Sequence, residues 1–155
     1  MGFGLPAAIG AALATGRTTL CITGDGSISL SLPELSTLAE LGLPVKILVL
    51  DNGQLGMVRQ QQQLFFEKRY IAAHYGQRVD FANAAQALGL PGYRLPYGHG
   101  RHSALLDMLN RPGPLLIHAE VADNEQVLPI VPPGAGNLNM IQTIPETYAS
   151  PWDTP

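Results

Sequence analysis

A single cysteine, Cys21, is all the thiol chemistry in this chain of 155 residues. One thiol cannot build a disulfide framework within the chain, so a reducing cytoplasm is the expected compartment. Cys21 falls in a β-branched, apolar run, where it reads as a small core residue. Charge is also scarce. Asp, Glu, Lys and Arg make up 14% of residues, against about 25% in an ordinary domain. There is no basic run and the net charge is −3, which argues against nucleic acid as a partner. No apolar run is long enough to cross a bilayer. Residues 1–13 are apolar but lack a basic leader and contain Pro6, so they do not read as a signal peptide. No internal repeat is present.

Glycine (17) and proline (13) are plentiful, in a composition that is 46% hydrophobic. So apolar a chain has material for a core and is not a disordered segment. The glycines and prolines suit tight turns around a ligand, or surfaces covered by other domains. A chain of this length suits one domain, able to bury roughly 68–70% of its unfolded surface.

In order, residues 5–14 read as a helix with Pro6 in its first turn. Its residues are nearly all small and apolar, which predicts burial on most sides. Gly16 ends it. Residues 18–23 form a strand, followed by the turn Gly24-Asp25-Gly26-Ser27. Ser31 and Glu34 have capping-box spacing and predict a helix running to Leu41, stopped by Gly42 and Pro44. Residues 45–50 form a second strand, with Lys46 its only charge. Strand, helix and strand make a right-handed βαβ unit.

Residues 52–56 form a loop and 57–70 a helix. The run Gln60-Gln61-Gln62-Gln63 sits inside that patterned segment. Asp80 caps a helix over 81–88; a strand at 93–96, a helix at 103–109 and a strand at 114–121 follow. Alternating strands and helices predict an α/β fold, a doubly wound parallel sheet with helices on both faces, over residues 1–122. Residues 123–155 read as a Pro/Gly-rich arm over the surface or active site, most clearly at Val131-Pro132-Pro133-Gly134-Ala135. No strand precedes the glycine lead-in, so an N-terminal piece is expected to be missing.

If the first two strands are parallel, Gly24-Asp25-Gly26 and Asn52 emerge on one sheet edge. Ligands of open α/β sheets bind outside the carboxyl ends of the strands. A carboxylate and an amide oxygen among glycines suit a hard cation holding a phosphate ester. Gly24, Gly26 and Ser27 would hold the phosphates on backbone N–H groups. A rival pattern exists: Gly2-Phe3-Gly4-Leu5-Pro6-Ala7 fits a loose dinucleotide fingerprint, with Asp25 about 20 residues on. No strand precedes it, Pro6 interrupts it, and Asn52 stays unexplained. His74, His99, His102 and His118 lack zinc spacing and read as structural or solvent-exposed. No Gly-x-Ser-x-Gly or Cys/His nucleophile pattern occurs.

Gly24-Asp25-Gly26, followed some 25 residues later by Asn52, resembles the motif of thiamine diphosphate enzymes. The flanks Met1–Ala11, Asn52-Gly53-Gln54-Leu55-Gly56-Met57-Val58 and Leu64-Phe65-Phe66-Glu67 resemble the acetolactate synthase (acetohydroxyacid synthase) branch, over residues 1 to about 140. The resemblance covers only the C-terminal, diphosphate-binding domain of the catalytic subunit.

It implies Mg²⁺ on Asp25, Asn52 and the backbone carbonyl of Gln54, whose side chain would matter little there. It places Met1 and Gly2 near the aminopyrimidine of thiamine diphosphate and Leu30 at the residue that props the cofactor. Gly56, Met57 and Val58 would flank cofactor or substrate. Gln61 stands where many members have Trp in a Gly-Met-Val-x-Gln-Trp pattern, a residue that favours 2-ketobutyrate over pyruvate as acceptor. Glutamine there, with its run and the Pro-Pro-Gly-Ala tail, is similar to the enterobacterial isozyme I type.

The implied reaction joins pyruvate to a second 2-oxoacid with loss of CO₂, in isoleucine and valine biosynthesis. The complete enzymes also hold FAD, mostly outside this region. Their further partners are pyrimidine-binding and central domains, a second catalytic chain and, in some, a small regulatory subunit. No residue here matches the family's activating glutamate. Glu34, Glu40 and Glu67 lie outside its segment, so no catalytic residue is assigned and the isolated chain is expected to be inactive. Another thiamine diphosphate-dependent 2-oxoacid decarboxylase or carboligase, or a noncatalytic remnant, are the alternatives.

Overall fold

The computed structural model describes residues 1–95 and 98–143. They fall into two compact units. One comprises Met1–Gly53 and Gln77–Val121; the other comprises Gln54–Gly76 and the described residues from Ala122 on.

The first unit is built on four parallel strands: β1 (Thr19–Gly24), β2 (Val45–Asp51), β3 (Gly92–Arg94) and β4 (Leu115–Glu120), in the order β1-β2-β4-β3. Side chains alternate across the sheet. On one face Cys21, Val45, Ile47, Val49 and Leu116 pack against α1 (Gly4–Thr15), α2 (Asp25–Ile28), α3 (Glu34–Leu41) and α5 (Phe81–Ala87). On the other face Leu48, Leu115, Ile117 and Ala119 pack against α6 (Arg101–Leu109). Helices cover both faces, as the alternation of strands and helices predicts. Cys21 is buried and free, and burial raises its thiol pKa.

Local chemistry explains the element ends, and corrects two expectations. Helix α1 buries only Leu5, Ala8, Ile9 and Ala12, one stripe at helical spacing, and leaves Leu13 63% exposed. It lies on one face of the sheet, so only that stripe meets the core. Ser31 and Glu34 form no capping box. The chain is already turning before α3, and the Ser31 hydroxyl donates back to the Ile28 carbonyl. Asp80 does cap α5, its side chain accepting from the Asn83 N–H at 3.1 Å. Lys46 is buried and its ammonium donates to the carbonyls of Arg111 and Gly113. That burial lowers its pKa. The predicted end of the third strand, Pro96, lies outside the described residues.

In the second unit, α4 spans Gly56–Phe65 and not 57–70. Glu67 and Lys68 adopt left-handed φ values of 53° and 58°, which no α-helix continues. The glutamine run is a set of clasps. Gln60 Nε2 donates to the Val127 carbonyl at 2.8 Å, and its Oε1 accepts the Val127 N–H at 2.9 Å. Gln62 grips Ile71 in the same two-way fashion, at 2.9 and 3.2 Å. Gln63 Oε1 accepts from Arg59 and Gln126, and the Gln54 amide donates to the Asp123 carbonyl. Farther along the arm, Ile130 and Ile141 exchange backbone bonds of 3.0 and 2.8 Å. They enclose the Pro-Pro-Gly-Ala segment and a 3-10 turn at Asn137–Asn139. The predicted arm beyond residue 143 lies outside the described residues.

Gln60→Ala is therefore expected to strip two backbone groups of Val127 of their partners, loosening the arm locally by about 1–3 kcal/mol. Native-state hydrogen exchange checks it: the Val127 amide should exchange roughly tenfold faster or more. Gln61→Ala, on the exposed side of α4, should leave it unchanged.

Candidate functional site

Parallel pairing of β1 with β2 sets Gly24 level with Leu50. The two chains thus leave the sheet side by side, and the acids at their ends meet. Asp25 is 4% exposed. Its Oδ1 accepts the Gly26 N–H at 2.8 Å and its Oδ2 the Gly53 N–H at 3.0 Å. Asp51 is buried as well. Its Oδ1 accepts the same Gly53 N–H at 2.8 Å, and its Oδ2 lies 2.8 Å from His118 Nε2. One amide therefore stands between two carboxylates. Burial, and then the neighbouring Asp51 carboxyl, push the Asp25 pKa up to about 6. Burial also works against ionisation of Asp51, but hydrogen bonds with His118, Asp25 and Gly53 outweigh it and hold Asp51 below the usual carboxylate range.

The other glycine-turn residues gather beside this pair. Ser27 Oγ accepts the Gly2 N–H at 3.0 Å. Gly2 has a left-handed φ of 75°, and a Cβ there would stand 3.1 Å from Leu30 Cβ. Met1, Gly2, Ser27 and Leu30 are thus brought together, with Met1 and Leu30 largely exposed. Gly24 caps α2, Gly26 is buried within that turn, and Asn52 is half-buried on the turn after β2.

In the second unit, Gly56 begins α4, and Gln54 is buried with its side chain committed to Asp123. Met57, Val58 and Gln61 are exposed along α4, whereas Arg59, Gln60 and Gln63 are buried. Met57 and Val58 are therefore not core residues of this unit.

Sequence reasoning passed over Asp51 and gave His118 only a structural or solvent-exposed reading. The period-2 run Val45, Ile47, Val49, Asp51 carries the signal for the first, and Leu116, His118 for the second. Arg78 was missed too. Its guanidinium lies against Gly53, where a Cβ would collide with it and φ is 70°; no pattern in the sequence announces that contact.

Among the described residues, no three His, Cys, Asp or Glu side chains group as a metal site. A cation here would draw on Asp25, an amide or carbonyl oxygen, and oxygens brought by its own ligand. That oxygen-only donor set suits Mg²⁺ with phosphate. The two buried carboxylates, one of them pushed toward its neutral form, leave a position that a cation would stabilise. The residues present fit the group.

Residues 1–119 match the family model described as thiamine pyrophosphate enzyme, C-terminal TPP binding domain. The chain is 46% identical over 142 residues to the acetolactate synthase isozyme 1 large subunit of Escherichia coli, covering 91% of this chain and 25% of the relative. It is also 46% identical over 145 residues to the isozyme 2 large subunit, covering 93% and 26%. The mitochondrial acetolactate synthase catalytic subunit of Saccharomyces cerevisiae is 42% identical over 147 residues, covering 94% and 21%. The chain spans about a quarter of the length of the relatives it matches. With the parallel α/β fold, that match over residues 1–119 places the chain among the thiamine pyrophosphate enzymes, as a C-terminal TPP-binding domain.

Proposed function

We propose that this chain is the diphosphate-binding domain of an acetolactate synthase and that it anchors thiamine diphosphate through Mg²⁺. The observation that carries this is the convergence of Asp25 and Asp51 on the Gly53 amide, beside the glycine turn. Asp25 and Asn52 would hold the cation, with the backbone carbonyl of Gln54 as third ligand. The Gln54 side chain is otherwise engaged. Gly24, Gly26 and Ser27 would orient the diphosphate, and the exposed Met1 and Leu30, with the half-buried Gly2, would receive the thiamine portion.

Bound thiamine diphosphate supplies the carbon–carbon bond chemistry that decarboxylates one 2-oxoacid and joins it to another. This chain's residues hold and orient; the proton-transfer group would come from elsewhere. The further domains, a second catalytic chain, FAD and a small regulatory subunit are part of the same proposal. So are pyruvate and 2-ketobutyrate as substrates. What supports them is the kinship to acetolactate synthase large subunits, of which this chain spans a quarter. No described helix is long and apolar enough to cross a membrane. A cytoplasmic setting suits the free, buried thiol of Cys21.

Replacing Asp25 with Ala removes the charged ligand. Calorimetry on the complete protein is expected to show thiamine diphosphate binding only with Mg²⁺, and none in Asp25→Ala. Unchanged affinity in the variant would remove the site assignment.

Gln61 carries a second expectation. Pyruvate and 2-ketobutyrate differ by one methylene, worth about 1–3 kcal/mol where an apolar surface receives it. The exposed Gln61 offers little such surface, and its amide prefers water. Gln61→Trp should raise preference for 2-ketobutyrate roughly tenfold or more. Both acceptors in one tube, with the two products quantified, decide it; no shift in the variant would sink the idea.

A further inference from the structure

Asp51 and His118 are costly residues to bury. Asp51 follows Val49 by two residues and His118 pairs in register with Val49 on the adjacent strand, so both project from the face that carries the larger apolar core. A buried carboxylate weakens a fold unless its oxygens are fully engaged. Here Oδ1 is engaged by Gly53 and Oδ2 by His118. An imidazole N–H is the donor that suits a carboxylate oxygen at 2.8 Å, which casts His118 Nε2 as the donor to Asp51. The imidazole is fixed by Phe81, stacked edge-on with centroids 5.4 Å apart. Behind it, Nδ1 stands 3.8 Å from Asp80, and Asp80 is tied to Arg94 at 2.8 Å.

This set has one output toward the site, the Gly53 N–H. That amide closes the turn carrying Asn52 and is also the group that Asp25 Oδ2 accepts from. We propose that Asp51 and His118 are positioning residues for the cation site: Asp51 fixes the Asn52–Gly53 turn against Asp25, and His118 fixes Asp51. Neither touches the cation. The inference rests on the reading of Asp25 and Asn52 as cation ligands. Partners of this kind behind metal ligands are typically worth ten- to a hundredfold in metal affinity.

The test is a Mg²⁺ titration of thiamine diphosphate binding, followed by calorimetry on the complete protein, with the melting temperature of each metal-free variant measured alongside. Asp51→Ala removes one of the two acceptors of the Gly53 N–H, leaving Asp25 alone, and His118→Phe removes the ring nitrogen that meets Asp51 while keeping a ring against Phe81. Each is expected to raise the Mg²⁺ concentration for half-saturation about ten- to a hundredfold. His118→Gln, which retains a donor, should recover most of that loss. The two disruptive variants act through different groups, so either one that folds decides the matter. A lowered melting temperature with half-saturation unchanged would mean a purely structural pair and overturn the proposal alone. A wild-type protein that binds thiamine diphosphate equally without Mg²⁺ would overturn the cation-site reading and this inference together.

Discussion

Parallel pairing of β1 with β2 is the constraint from which the site follows. With Gly24 level with Leu50, Asp25 meets the turn after β2 without help from any further element. The register is held by the apolar alternation of Val45, Ile47 and Val49 on the face toward α1 and α3. A slip of one residue would turn that whole set outward. Asp51 shares their face, so the alternation that builds the core also buries the carboxylate. Core and site are specified by the same two-residue period.

Electrostatics at that edge work against stability. Two carboxylates facing one amide is a poor arrangement for a fold alone, since an apolar pair of similar volume often serves a core at least as well. Asp25 answers the crowding by holding its proton to about pH 6. Asp51 stays ionised because His118 and Gly53 engage both its oxygens. On the far side of His118, Arg94 stands between Asp80 and Glu120, at 2.8 and 3.0 Å. Asp80 is likewise held below the carboxylate range: Arg94 and the Asn83 amide outweigh its burial. The outer members are exposed and contribute little each. The unresolved tension sits at Asp25, where a cation would relieve it.

The sheet, both helical layers and the glycine turn were legible because each rests on local pattern. Strand runs were apolar, breakers stood at Gly16 and Gly42, and Asp80 was a true cap. Ser31 misled because a capping box is read from two side chains, while the cap depends on backbone already committed to a turn at Ile28–Ser31. The end of α4 was missed because Glu67 and Lys68 are ordinary helix formers placed in left-handed conformations that composition does not foreshadow. Asp25 and Asn52 were candidates from spacing, and the structure sets them after two paired parallel strands. Asp51 could have been, from its period, but a charged residue at a strand end looks like a solvated tip. His118 reaches Asp51 across 67 positions of chain, and only strand order, not spacing, brings them together.

The glutamines of α4 carry the same lesson in another chemistry. Gln60 and Gln62 each present a donor and an acceptor, matching one backbone N–H and one C=O as a neighbouring strand would. A leucine at position 60 could bury as much surface, yet it would not select one residue of the arm over the next. Amide pairing does select, because a shift by one residue leaves buried polar groups unmatched. The arm is thereby fixed in register on the buried side of α4. The outward residues Met57, Val58 and Gln61 then hold a set orientation while taking no part in holding the helix. Side chains with that freedom can change without cost to the fold.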